Sequence, residues 1–168
     1  MTRLFSLAAL GVDVAMVLAA CGGSSTSSSS GSGTGDGAPT SGSPSGSGPA
    51  FVVGTKTGSL GTFLVDGKGR ALYLWEADHG ATSACSGACA QAWPPLTTTG
   101  MPKASGAAKA SLLGTTTRAD GSHEITYAGH PLYYYAGDSG SGQTTGQGSD
   151  SFGSPWWVVS PAGKAIGA

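Results

Sequence analysis

Short apolar runs separated by glycine-rich turns characterise the sequence from residue 50 onward. Residues 51–53 and 62–65 are rich in Val and Phe, a composition that favours strands over helices. Residues 66–69 read Asp-Gly-Lys-Gly, and glycine supplies the positive φ that a tight hairpin turn requires. The pattern predicts a hairpin whose returning strand is residues 70–75.

The returning strand alternates aromatic and aliphatic residues. With a period of two, Tyr73 and Trp75 share one face, while Leu72 and Leu74 share the other. A strand that is apolar on both faces is predicted to be central in its sheet.

The sequence that ends this strand occurs twice. Residues 73–78 read Tyr-Leu-Trp-Glu-Ala-Asp and residues 133–138 read Tyr-Tyr-Tyr-Ala-Gly-Asp, so both have the pattern Tyr-x-aromatic-x-x-Asp. A polar loop and then tryptophan follow each copy: Trp93 after the first, Trp156 and Trp157 after the second. Because each copy is too small to bury its own apolar face, the two are expected to share one core.

The predicted fold class is therefore all-β: a small single domain, residues 50–168, of two related antiparallel β repeats sharing one core. Repeat one spans about residues 51–99 and repeat two about residues 111–168. Matching Asp120-Gly121 to Asp66-Gly67 leaves residues 123–127 as an additional strand of the second repeat.

The segment before the domain has a different composition. Residues 1–20 carry one positive residue, Arg3, followed by an apolar run, which is the layout of a secretory signal peptide. The run ends Leu-Ala-Ala-Cys21, which resembles the bacterial lipobox, where the cysteine is acylated and becomes the first residue after cleavage. Residues 21–49 are then the lipidated cysteine and a Gly/Ser tether that is too polar to fold.

This organisation predicts an exported protein that is lipid-anchored to the outer face of the bacterial cell membrane, with membrane lipid as a partner through acylated Cys21. Charged residues make up 10% of the chain and its net charge is −1. Without a basic stripe, nucleic acid is not an expected partner.

Cysteine usage leaves two alternatives open. If Cys21 is lipidated, Cys85 and Cys89 remain, and in an oxidising compartment they are expected to form a disulfide. No cofactor is expected in that case. The alternative is copper, bound by the two thiolates with imidazole or thioether ligands; the metal candidates are Cys85, Cys89, His79, Met101, His123 and His130.

The repeated aromatic and acidic residues favour structural roles, because an Asp at a strand end commonly caps the loop that follows it. These motif residues are Tyr73, Trp75, Asp78, Tyr133, Tyr135 and Asp138. Tryptophans can instead contact a ligand, and the candidate binding residues are Trp93, Trp156 and Trp157. Adjacent strand residues point to opposite faces, so Trp156 and Trp157 are not expected to be buried on the same side.

The two motif copies, the lipobox and residues 85–95 with their two cysteines and Trp-Pro-Pro together resemble one bacterial family. Its members are predicted lipoproteins with a Tyr-x-(Phe/Trp/Tyr)-x-x-Asp motif, also called secreted repeats of unknown function. The resemblance implies export and repetition, and it implies no mechanism.

The expected function is a membrane-anchored lipoprotein acting as a non-enzymatic binding or structural module of the cell envelope, with an envelope protein or a glycan as partner. The alternative is an extracytoplasmic redox or copper-handling protein that uses Cys85 and Cys89. No catalytic residue is predicted.

Overall fold

Eight short strands and one helix make up the computed structural model, which describes residues 51–168. In chain order they are β1 (Val52–Gly58), β2 (Gly61–Asp66), β3 (Tyr73–Trp75), α1 (Ala88–Ala92), β4 (Lys103–Ala104), β5 (Leu113–Thr117), β6 (His123–Tyr127), β7 (His130–Pro131) and β8 (Trp156–Val158). Single 3-10 turns lie at Ala110–Leu112 and Ser151–Gly153. The expectation of an all-β fold is confirmed.

Two antiparallel hairpins correspond to each other in the two repeats. β1 pairs with β2 from Val53↔Asp66 to Gly58↔Gly61, and β5 pairs with β6 from Leu113↔Tyr127 to Thr117↔His123. β4 extends the first sheet by parallel pairing with β1, and β7 extends the second by antiparallel pairing with β6.

This correspondence corrects one prediction. Residues 123–127 are not an additional strand, because they form β6, the counterpart of β2. The Asp120-Gly121 turn connects β5 to β6 and therefore matches the turn between β1 and β2, not residues 66–67. Turns that contain glycine look alike in sequence, so they do not by themselves fix which strands correspond.

The end of the second repeat completes the first repeat. β3 pairs antiparallel with β8, so Tyr73 lies opposite Val158. Beyond β8, the Leu64 N–H donates to the Val159 carbonyl at 2.8 Å and the Val159 N–H donates to the Leu72 carbonyl at 3.2 Å. The Leu72 N–H donates in turn to the Leu64 carbonyl at 3.0 Å.

The end of the first repeat completes the second in the same way. The Ile125 N–H donates to the Leu96 carbonyl at 2.8 Å, the Leu96 N–H to the Leu132 carbonyl at 2.8 Å, and the Leu132 N–H to the Ile125 carbonyl at 3.0 Å. Leu96 follows Trp93 in repeat one, as Val159 follows Trp156 in repeat two. The last segment of each repeat therefore pairs with strands of the other repeat.

The two repeats are related by a local two-fold axis at the contact between Tyr73 and Tyr133. Each residue donates its backbone N–H to the carbonyl of the other at 2.9 Å, which is a symmetric antiparallel bridge. The first residues of the two motif copies are thus direct neighbours, although they are 60 positions apart in sequence.

The core divides into an aromatic side and an aliphatic side of this bridge. The aromatic side contains Phe63, Tyr73, Trp75, Trp93, Tyr133 and Trp156 together with the two domain cysteines. The aliphatic side contains Val53, Leu64, Leu72, Leu74, Leu96, Ile125, Leu132 and Val159 together with Tyr127. Both repeats contribute to both sides, so each side of the core is shared between the repeats.

Residues 51–168 all belong to one compact unit. Among these described residues, no helix has the length and apolarity needed to cross a membrane. The predicted signal peptide, Cys21 and the tether lie outside the described residues.

Candidate functional site

The two motif copies are joined by crossed Tyr–Asp pairs, that is, Tyr73–Asp138 and Tyr133–Asp78. The Tyr73 hydroxyl donates to Asp138 Oδ2 at 2.6 Å, and the Tyr133 hydroxyl donates to Asp78 Oδ2 at 2.7 Å. Each tyrosine therefore bonds the aspartate of the other repeat. Burial and the neighbouring carboxylate raise the pKa of the Tyr73 hydroxyl, which keeps it a hydrogen-bond donor.

The second oxygen of each aspartate holds the loop that follows its own motif. Asp78 Oδ1 accepts the Ala84 backbone N–H at 2.8 Å. Asp138 Oδ1 accepts the Thr145 N–H at 2.9 Å and the Thr145 hydroxyl at 2.6 Å. Each motif copy therefore fixes both the contact between the repeats and the start of the loop that follows it.

An indole stack, formed by Trp75, Trp156 and Trp93, packs against the edges of the two motif tyrosines, with Tyr73 on Trp93 and Tyr133 on Trp156. Trp156 stacks on Trp75 at 5.0 Å between ring centroids and on Trp93 at 4.0 Å, with interplanar angles of 5° and 4°. Tyr135 packs on the outer face of Trp93 at 4.4 Å. Gly146 lies against Trp93 and Tyr135, where an added Cβ would be 2.6 Å from the indole.

Two of the candidate binding residues are buried in this stack. Trp93 and Trp156 are both 0% exposed, so they contribute to the core and not to a contact surface. This corrects their assignment as candidate binding contacts, because an aromatic side chain in this small domain adds more by burial than by exposure. Trp157 points the other way, is half-buried, and donates its Nε1–H to Glu76 at 2.8 Å.

The loop of the first repeat contains the Cys85–Cys89 disulfide, which confirms that prediction. The Cα atoms of the two cysteines are 5.3 Å apart, and both side chains are buried in the aromatic side of the core. The disulfide spans the start of helix α1, which leads directly to Trp93. The loop of the second repeat, residues 139–155, contains no cysteine.

A buried polar group, the Arg118 cluster, adjoins this disulfide and consists of Asp78, Ser83, Arg118, Glu124 and Tyr133. Arg118 Nη1 donates to Glu124 Oε2 and to Ser83 Oγ, each at 2.6 Å. The Ser83 hydroxyl lies 2.7 Å from the Tyr133 hydroxyl, which bonds Asp78. The guanidinium also donates through Nη2 to the carbonyl oxygen of Cys85.

Burial determines the electrostatics of the Arg118 cluster. Glu124 is 0% exposed, and burial raises its carboxyl pKa to about 7 although Arg118 opposes the shift. Burial also raises the pKa of Asp78, against the hydrogen bonds from Ala84 and Tyr133. Burial and the carboxylates of Glu124 and Asp78 raise the pKa of Tyr133. The cluster is therefore a buried network with two carboxyl groups that resist ionisation.

The Arg118 cluster has no counterpart in the other half of the domain. Leu64 and Ile125 make equivalent backbone hydrogen bonds in the two repeats. Phe63, which precedes Leu64, is therefore at the position equivalent to Glu124, which precedes Ile125. Phe63 packs in the aromatic side of the core. The two-fold relation is thus broken where the disulfide loop lies.

Sequence reasoning missed Ser83, Arg118 and Glu124 as members of a cluster. The available signal was Glu124, a charged residue within a run that is otherwise strand-like, at residues 123–127. That signal required the alignment of β6 with β2, in which Glu124 has the position that Phe63 has in the first repeat.

The remaining metal candidates lie on different segments of the domain. His79 is exposed beside the disulfide loop, and Met101 is 72% exposed on another segment. His123 begins β6 and His130 begins β7. Within residues 51–168, no three His, Cys, Asp or Glu side chains gather as metal ligands would.

A threonine groove lies along the pairing of residues 97–99 with the start of β6. Its lining residues are Phe51, Thr97, Thr98, Thr99, Ser122 and His123, and its volume is about 530 Å³. Because side chains alternate along β6, His123 faces this groove while the neighbouring Glu124 is in the Arg118 cluster.

The repeat architecture, the crossed motif and the disulfide loop define the class of protein: a duplicated β domain with one reciprocal core. A family model described as "Secreted repeat of unknown function" matches residues 54–97 and 114–160. The chain belongs to this family of secreted repeats, Lipoprotein_15. No curated protein and no solved structure matches the chain.

Proposed function

We propose that this protein is an exported, membrane-tethered binding module of the bacterial cell envelope, and that it does not act as an enzyme. The observation that carries this proposal is the burial of the Arg118 cluster. The chemistry of Tyr133, Glu124 and Arg118 would suit acid–base catalysis, but Arg118 bonds Glu124 directly and is connected to Tyr133 through Ser83. Tyr133 and Glu124 are both 0% exposed. A substrate would have to open the core to reach them.

The proposed anchor is acylated Cys21, and the family description as secreted supports export. Two acyl chains give stable membrane attachment, whereas one gives only marginal binding. The Gly/Ser composition of residues 22–49 suits a tether that holds the domain away from the lipid surface.

The anchoring proposal is tested by fractionating cells that produce the full chain or its Cys21→Ser variant. The full chain is expected in the membrane fraction, with the mass of an acylated cysteine, and Cys21→Ser is expected outside that fraction. The matched control is Cys85→Ala with Cys89→Ala, which leaves Cys21 in place and should remain membrane-bound. Membrane retention of Cys21→Ser would contradict the proposal.

The binding role is tested separately by photo-cross-linking in intact cells. A photoreactive residue is placed at Met101, which is 72% exposed, or at Phe152, which is 48% exposed. A binding module should give discrete adducts at one position or both, and added untagged full chain should compete for them. Loss of all specific adducts at both positions would contradict a binding role.

The copper alternative stays a prediction, and the disulfide determines how it must be tested. Both sulfur atoms are buried and joined in the oxidised protein, so thiolate ligands would first require reduction. Native mass spectrometry of the full chain with added copper, before and after mild reduction, separates the two functions. The binding-module proposal expects no stoichiometric copper in either state, whereas one retained copper after reduction favours the alternative.

A further inference from the structure

The threonine groove has the dimensions of a ligand site. Its volume of about 530 Å³ is within the range of about 300–1,000 Å³ that is typical of small-molecule pockets. It lies along one antiparallel backbone pairing, in which the Thr98 N–H donates to the His123 carbonyl at 2.9 Å and the Ile125 N–H to the Leu96 carbonyl at 2.8 Å. The floor of the groove is therefore fixed by the fold.

The groove presents hydroxyl groups that internal contacts leave available. The Thr98 hydroxyl is engaged with Gly100 and the Ser122 hydroxyl with Asp120. Among residues 51–168, no such side-chain hydrogen bond engages the hydroxyls of Thr97 and Thr99, and both of these residues are exposed. His123 uses Nδ1 toward the Thr117 hydroxyl at 3.3 Å, which leaves Nε2 for a ligand.

The lining also restricts the charge of the ligand. None of the six lining residues is Asp, Glu, Lys or Arg. A phosphate or carboxylate ligand would therefore lack the arginine or lysine that normally recognises it. The half-buried Phe51 adds an aromatic surface beside the hydroxyls.

We propose that the threonine groove binds a neutral glycan chain. A sugar ring has an apolar C–H face, which packs on an aromatic side chain, and a rim of hydroxyls, which bond Thr97, Thr99 and His123. This inference rests on the proposed binding function and assigns it a site and a ligand class.

The test uses the full chain in a detergent whose head group is not a sugar, because a sugar head group would compete. The probes are neutral β-1,4-linked tetrasaccharides of glucose and of N-acetylglucosamine, with an anionic tetragalacturonate for comparison. Saturation-transfer NMR is expected to show binding of at least one neutral probe and none of the anionic probe. Affinity follows from titration of the same signal.

The decisive variant is Thr97→Val with Thr99→Val, which keeps side-chain shape while removing two hydroxyls. It should weaken binding by about tenfold. Thr115→Val is the matched control, because Thr115 is an exposed strand threonine outside the groove lining. Phe51→Ala is a second variant and should abolish binding, provided that its urea unfolding midpoint shows a folded domain.

Absence of signal from both neutral tetrasaccharides would overturn the inference, as would equal affinity of the double variant and the full chain. Preference for the anionic probe would overturn it too. If the cellular cross-links persist in any of these three cases, the binding function stands and only the glycan site fails. If the cross-links are also absent, the binding function itself fails.

Discussion

At the scale of single residues, the repeated motif is explained by what each member bonds in the other repeat. The tyrosine donates across the two-fold bridge, and the aspartate accepts from that tyrosine and from its own loop. The loop-capping role could be predicted from sequence, since an Asp at a strand end is a common cap. The crossing of the Tyr–Asp pairs between the repeats could not be predicted, because it depends on which strands lie side by side.

The crossed pairs are not equivalent in energy. Tyr133→Phe should lower the free energy of unfolding by about 1–3 kcal/mol, because it leaves Oδ2 of the buried Asp78 without a donor. Tyr73→Phe should cost about 0.5–1.5 kcal/mol, because Asp138 is less buried and keeps Thr145. Urea denaturation measures both.

Tyr135→Phe provides the control for these two variants, because within residues 51–168 the Tyr135 hydroxyl has no side-chain hydrogen bond to lose. Its unfolding free energy should stay within about 0.5 kcal/mol of the original. Equal losses for Tyr73→Phe and Tyr133→Phe would contradict the difference in burial.

Glu124 should make stability depend on pH. Its folded-state pKa of about 7 lies above the ordinary value of 4.5, so the folded state binds the proton more tightly than the unfolded state. The contribution is fully present below pH 4.5 and is lost as pH rises through 7, by about 3 kcal/mol in total. The raised pKa of Asp78 acts in the same direction.

Glu124→Gln should therefore flatten the decline of unfolding free energy across this pH window, as measured by urea denaturation at several pH values. Asp150→Asn, at an exposed position, is the control and should leave the slope unchanged. A slope in Glu124→Gln as steep as in the original protein would show that another group carries the pH dependence.

At the scale of elements, the disulfide loop is held by more than its disulfide. Arg118 bonds the Cys85 carbonyl, Asp78 bonds the Ala84 N–H, and α1 ends at the buried Trp93. The short strands could be predicted from sequence, but their pairing into the hairpins β1–β2 and β5–β6 could not, because similar glycine turns do not fix which strands pair. The contact of Arg118 with the disulfide loop could not be predicted either, because Arg118 belongs to the other repeat.

Cys85→Ala with Cys89→Ala should lower the free energy of unfolding by about 2 kcal/mol, since closing so short a loop removes little chain entropy. The domain should still unfold in one cooperative transition, and Cys21→Ser should leave the midpoint unchanged. Complete unfolding of the double variant would mean that the loop depends on the disulfide alone.

At the scale of the whole molecule, the exchange of terminal segments makes the two repeats mutually dependent. Leu96 completes repeat two and Val159 completes repeat one. The sequence indicates two copies that share a core, but the exchange is a long-range pairing that no local pattern encodes. Neither repeat has a full set of strand partners without the other.

Dividing the chain between Ala108 and Lys109 should therefore give two fragments that fold only together. The cut falls between contacts to different repeats, since the Ala107 N–H bonds Thr55 and the Lys109 N–H bonds Tyr127. Analytical ultracentrifugation should show a one-to-one complex, with a cooperative urea transition that neither fragment has alone. A cooperative transition in an isolated fragment would contradict mutual dependence.

The Trp93–Trp156 contact also has an optical consequence. The two indoles come from different repeats and lie nearly parallel at 4.0 Å, a distance at which their electronic transitions couple. Coupled chromophores in a chiral arrangement give paired circular-dichroism bands of opposite sign. The protein thus carries an intrinsic spectroscopic reporter of repeat association, readable without a label, whose signal disappears when the two rings separate.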